Sequence, residues 1–284
     1  MRLGEVESIS EARGVAAVKV FISVDMEGIS GVVAWEHTES EKPEYARFRR
    51  LMTGEANAAI AGALAGGATE ILVNDSHGGM KNILIEELNP AARLVTGGQK
   101  PLSMMEGIDG TFDLVLFVGY HARAMARGVL AHTFTGRIRK LSINGREVGE
   151  TGMNAMIAGA FGVPVGLVTG DAVLEREARE FFGGNIEFAT VKIPTGYYSA
   201  NCLPPERAQE VIREAARRAV ERARDFKPVV PGRPATWEVT WQLSANADAC
   251  MMVPGVERVD DTTVRFTHDD YLVGFQTFRA LASL

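Results

Sequence analysis

The sequence carries only two cysteines in 284 residues, Cys202 and Cys250. They form no C-x-x-C pairing and are too few for a disulfide framework, which excludes a stapled miniature fold and a thiolate zinc or redox motif. Long apolar runs are also missing, since no stretch of 18 or more apolar residues offers a transmembrane helix. Glu5, Glu7 and Glu11 precede the first apolar run, the wrong pattern for a secretory signal peptide. Basic charge is not in excess. Lys+Arg number 30 against 36 Asp+Glu, the formal net charge is -6, and no long basic block occurs, which argues against a nucleic-acid partner. No G-x-G-x-x-G, Walker A or H-E-x-x-H pattern is completed. The expectation is a soluble, cytoplasmic protein with no membrane and no nucleic-acid partner.

What remains is enough for a large core: 46% of residues are hydrophobic and 23% charged. Residues 16–24 are rich in β-branched side chains and read as a buried strand ending at Asp25. Residues 44–66 carry Met52, Ala56, Ala59, Ile60 and Ala63 at helical spacing, stopped by Gly66-Gly67. Residues 69–74, 112–119, 138–143 and 163–169 are further strand candidates. Helices are expected at 82–88, 149–160, 172–182, 204–224 and 270–283. Strands at 237–243 and 263–267 are expected to pair. This alternation predicts an α/β fold with a mostly parallel central sheet flanked by helices, followed by a smaller C-terminal α/β portion. The expected partition is an N-terminal extension (1–16), an α/β metal-site domain (17–195) and the C-terminal portion (196–284).

Chemistry concentrates where strands end. Asp25 and Glu27 follow the first strand, and His77 and His121, two of five histidines, follow the strands at 69–74 and 112–119. Parallel strands bring such ends together, in the place where open α/β sheets hold ligands. Two carboxylates and two imidazoles make a mixed N/O shell suited to zinc or another first-row divalent ion. Asp25 and Glu27 share a side in extended backbone, so a bridging carboxylate could serve two ions. Taken singly, each residue has a plainer reading: Asp25 as a cap, either histidine as a structural hydrogen-bonding group. Asp75 reads first as a turn residue and second as an orienter of an imidazole. Lys100 and Arg123 are candidates for a substrate carboxylate or for surface solvation.

Five separated segments carry a resemblance: Ser23-Val24-Asp25-Met26-Glu27-Gly28-Ile29-Ser30-Gly31, Val73-Asn74-Asp75-Ser76-His77, Gly119-Tyr120-His121-Ala122, Ala131-His132-Thr133 and Val148-Gly149-Glu150. In this order the sequence resembles the D-aminopeptidase (DppA-like, M55) family of dinuclear zinc metallopeptidases from about Lys19 onward. The resemblance implies Asp25, Glu27, His77, His121 and Glu150 as ligands of two Zn2+ ions per subunit, with Asp25 as the bridge. It implies His132 as the catalytic residue, acting as nucleophile, by proton transfer or by stabilising an oxyanion. The implied activity is release of N-terminal residues, typically D-alanine, from short peptides by a homo-oligomer, a decameric ring. A metal-dependent amidase and a non-catalytic peptide-binding protein are the alternatives. Ala172 departs from the family where a second acidic residue is expected after Asp171.

Overall fold

The computed structural model describes residues 18–284, so the N-terminal extension expected at 1–16 lies outside the described residues. The first strand, β1 (Val18–Val24), is apolar enough to lie in the middle of a sheet, and from Val20 onward its residues are buried. It leads into α1 (Tyr45–Ala65), β2 (Ala68–Asp75), β3 (Ala92–Val95), β4 (Leu114–Val118), β5 (Ile138–Ile143) and β6 (Arg146–Glu147). Then follow α2 (Glu150–Ala160), β7 (Val165–Asp171), α3 (Ala172–Phe181), β8 (Glu187–Gly196), β9 (Ser199–Cys202) and α4 (Pro205–Glu221). The chain finishes with β10 (Ala235–Trp241), α5 (Ser244–Cys250), β11 (Glu257–Arg258), β12 (Thr263–His268) and α6 (Tyr271–Ser283).

Seven strands make the main sheet in the order β3-β2-β1-β4-β7-β8-β9. All neighbours are parallel except β8 and β9. The mostly parallel sheet expected from the sequence is present. Its order reverses between β1 and β4: from β1 the chain runs outward through β2 and β3, and from β4 it runs the other way through β7 and β8. Such a switch point opens a crevice beyond the carboxyl ends of the two central strands. On one face of the sheet α1 packs closely on α4, because Gly62 lies against Arg213 O and Ala216, where a Cβ would stand 2.1 Å from the former.

The second sheet is antiparallel, in the order β11-β12-β10-β5-β6. The expected pairing of 237–243 with 263–267 is seen in the register Trp237 to Phe266 and Val239 to Val264. Residues 138–147 join these C-terminal strands rather than the parallel sheet. The last helix docks on α2 through the Tyr271 hydroxyl, which donates to Met153 O at 3.0 Å.

One expected helix is absent. Residues 82–88 form turns, because side chains capture the backbone groups a helix would pair internally. The Asp75 carboxylate accepts from the main-chain N–H of Asn82 and Ile83, and Asn57 and Thr53 of α1 accept from Asn89 and Leu84. Five strands went unanticipated, among them the two-residue β6 and β11. β3 is a short edge strand, while β8 carries Lys192 and Pro194, and β9 is four residues long.

Candidate metal centre

In the sheet, β2, β1 and β4 are neighbours, so the loops carrying His77, Asp25-Glu27 and His121 emerge side by side. Asp25 N donates to Val118 O at 2.8 Å, and Gly28 N donates to Gly119 O at 2.7 Å. A Cβ at Gly28 would stand 1.9 Å from Tyr120 O. One at Gly119, whose φ is +70°, would stand 2.3 Å from Asp25 O. Glycine at both positions therefore lets the β1 and β4 loops lie backbone to backbone.

Two buried lysines secure these loops. Lys192 of β8 donates to the carbonyls of Glu27, Ile29 at 3.0 Å and Val32 at 2.7 Å, so all three ammonium protons are used. Lys100 donates to Asn74 Oδ1 at 2.5 Å and Asp75 O at 2.6 Å, and burial pushes its pKa down to about 8. Neither role proposed for Lys100 from the sequence survives: it is buried, and its charge is spent on the β2 loop. Arg123 pairs with Glu147 at 3.5 Å. Asp75 holds the turn after His77, as its first reading had it. Lys192 was missed, and its only signal was a lone cation between Val191 and Ile193.

The candidate side chains meet. His77 Nδ1 lies 3.0 Å from Glu27 Oε2 and 3.3 Å from Asp25 Oδ1. His121 Nε2 lies 3.5 Å from Asp25 Oδ2 and 3.2 Å from Glu150 Oε1. The two oxygens of Asp25 thus face different imidazoles. Glu150 opens α2, and its Oε1 also accepts from Phe134 N at 2.6 Å. His132 stands beside it, with Nε2 3.8 Å from Glu150 Oε1. The two remaining histidines lie elsewhere: His37 stacks on Phe48, and His268 Nδ1 accepts from Asp270 N.

A shared arrangement fixes the tautomers. His77 Nε2 meets Thr38 O at 3.0 Å, His121 Nδ1 meets Ala122 O at 3.0 Å, and His132 Nδ1 meets Leu130 O at 2.9 Å. Each carbonyl accepts an N–H, so the other ring nitrogen is the one turned toward the carboxylates, able to give its lone pair to a metal ion in place of a proton. Metal-ligating histidines are held in this way.

The electrostatics call for a cation. Burial and the adjacent Glu27 charge push Asp25 up to about 7. Burial opposes the charged form of Glu27 as well, yet His77 beside it takes its pKa well below the carboxylate range. Burial disfavours a charged His121, but the Glu150 carboxylate outweighs it and lifts the imidazole to about 10. Buried Asp25 Oδ2 and His121 Nε2 have no hydrogen-bond partner. Among the described residues, the donor sets Asp25-Glu27-His121 and His121-His132-Glu150 each close to within 4.8 Å. Oxygen and nitrogen donors in this number, two of them orphaned, fit zinc.

The D-aminopeptidase family model, Peptidase M55, matches residues 18–280. The chain belongs to the D-aminopeptidase family. It is 40% identical over 268 residues to a D-aminopeptidase of Bacillus subtilis (strain 168), covering 94% of this chain and 97% of that protein. Among solved structures it is similar to the Zn-dependent D-aminopeptidase DppA from Bacillus subtilis, a self-compartmentalizing protease. There the TM-score is 0.92 at 39% identity, over 94% of this chain and 97% of that one.

Proposed function

We propose that the chain is a zinc-dependent aminopeptidase that removes N-terminal residues, D-alanine among them, from short peptides. One observation carries the reading: three imidazoles, each tied by one nitrogen to a main-chain carbonyl, turn the other toward three buried carboxylates. The zinc-dependent relative supports zinc as the ion. Asp25, Glu27, His77, His121 and Glu150 are assigned as ligands of two Zn2+ ions. Asp25 is taken as the bridge, since Oδ1 faces His77 and Oδ2 faces His121. Zinc held there supplies Lewis acidity toward a scissile carbonyl and acidifies water near neutrality.

The chain's own residues do the rest. His132, with its Nδ1 proton fixed on Leu130 O, keeps Nε2 free to take and return a proton, or to steady negative charge on the carbonyl oxygen. Trp35 closes on the same ring edge-to-face, at 5.3 Å between centroids, and limits its movement.

The assembly is proposed to be a homo-oligomer, a decameric ring. Ile193, Tyr197 and Tyr198 on the β8–β9 hairpin are exposed apolar side chains of the kind that interfaces bury, and the self-compartmentalizing relative supports this. Light scattering reads the subunit number.

The test is a zinc-reconstituted activity screen with matched D- and L-alanyl peptides and their N-acetylated forms. Cleavage of the free-amine D-peptides alone is expected. Cleavage of acetylated substrates points instead to an amidase, and no turnover with zinc, manganese or cobalt removes the enzyme reading.

A further inference from the structure

The cavity that exposes Asp25, Glu27 and Glu150 has a volume of about 280 Å³ and is also lined by Ser103, Phe134 and Arg279. Arg279, from α6, is the one permanent cation among its lining residues. Its Nη1 donates to the carbonyls of Lys100 and Pro101, which anchors the guanidinium to the turn that carries Ser103. Among the described residues Nε and Nη2 have no partner, and no carboxylate lies within ion-pair distance. Ser103 N donates to Lys100 O at 2.9 Å, so both residues are tied to one carbonyl. Ser103 is fully buried, its φ is +52°, and its hydroxyl has no hydrogen-bond partner. A non-glycine residue held in that conformation with an orphaned hydroxyl is a strained, unsatisfied donor at a cavity wall.

A planar cation with a free edge and an adjacent free hydroxyl suit one ligand chemistry, a carboxylate. A cavity of 280 Å³ falls just below the usual range for small-molecule sites, which is roughly 300–1,000 Å³. One extended residue spans only about 3.3–3.6 Å. The carboxylate of a dipeptide therefore follows its scissile carbonyl by about one residue, within such a space. We propose that Arg279 and Ser103 bind the free C-terminal carboxylate of a dipeptide substrate and favour it over the C-terminally capped form. This rests on the aminopeptidase reading above.

The experiment compares D-alanyl-D-alanine with D-alanyl-D-alaninamide on the zinc-loaded protein. Wild type is expected to favour the free acid through KM. Arg279→Gln should raise KM for the acid roughly ten- to a hundredfold, leave the amide within about twofold, and retain full zinc content. Ser103→Ala should move the acid alone in the same direction by a smaller factor, and Arg279→Lys should recover part of the loss. Equal effects on both peptides, or no effect on either, would overturn the subsite. Should Arg279→Gln not fold, Ser103→Ala and Arg279→Lys decide by the same criterion. Wild type that cleaves neither peptide removes the aminopeptidase reading itself. Wild type that cleaves both with equal KM removes only the carboxylate subsite.

Discussion

The imidazoles of His121 and His132 lie face to face, with ring centroids 4.0 Å apart and planes 12° from parallel. Both rings spend Nδ1 on a main-chain carbonyl, and both turn Nε2 toward Glu150 Oε1. They differ in what surrounds them. Against the cost of burial, Glu150 and Asp25 raise the affinity of His121 Nε2 for a cation, whereas burial and the neighbouring His121 lower the pKa of His132. His132, the weaker base and the one standing farther from Glu150 Oε1, is placed to move a proton, and His121 to bind metal. His132→Ala is expected to keep two zinc ions per chain and lose ~10²–10⁴-fold in kcat. Metal analysis beside steady-state kinetics checks this, and loss of an ion together with the ring would make His132 a ligand instead.

Asp25 is the residue on which both halves of the cluster depend, because each of its oxygens faces a different histidine. Asp25→Ala should therefore reduce bound zinc by more than one ion per chain, while Glu150→Ala should leave the His77 side occupied. Chelation should lower the unfolding midpoint of the wild type. Zinc at a thousandfold excess over its dissociation constant adds about 4 kcal/mol per site. The same addition should do little for Asp25→Ala. A variant that still binds two equivalents would show that Asp25 bridges nothing.

Much of this was legible because parallel strands deliver their C-terminal ends to one place. Once β1, β2 and β4 are read as strands, Asp25, Glu27, His77 and His121 follow. Glu150 and His132 were not legible from local pattern: one opens a helix, the other sits in a long loop, and the resemblance to the family was needed to single them out. The supports were less visible still. Lys192 and Lys100 act through contacts 160 and 25 residues away in sequence, and no local periodicity reports such partners. The helix expected at 82–88 failed for the same reason, since Asp75, Thr53 and Asn57 capture its backbone from outside.

Gly28 makes a sharp test of how the site is held. A Cβ there would meet Tyr120 O at 1.9 Å and the Gly119 carbonyl carbon at 2.4 Å, both main-chain atoms that no rotamer change can move aside. Gly28→Ala should force the β1 and β4 loops apart and cost about 3 kcal/mol or more of stability, within the range of backbone strain and overpacking. Zinc affinity should fall with it. Thermal unfolding and competition with a chelator read the two effects, and an alanine variant indistinguishable from wild type would mean that the loops are not in contact.

Glu55 provides a pH-dependent test outside the cluster. On α1 it is buried, its Oε1 accepts from Ser30 N at 2.8 Å, and its Oε2 has no partner. Burial pushes its pKa up to about 7, against the pull of the Ser30 N–H and of Lys192. The folded chain then holds a proton that the unfolded chain, with a pKa near 4.5, has released. Stability from this group is full below about 4.5 and is lost as pH rises through about 7. The upper bound on the loss is roughly 3 kcal/mol for a shift of this size. Glu55→Gln removes the titration while keeping the shape. The difference in unfolding free energy between wild type and Glu55→Gln, measured at fixed zinc from pH 5 to pH 8, should therefore move against the wild type as pH rises. A difference that stays flat across that window would mean that Glu55 is ionised in the folded protein, balanced by the Lys192 ammonium.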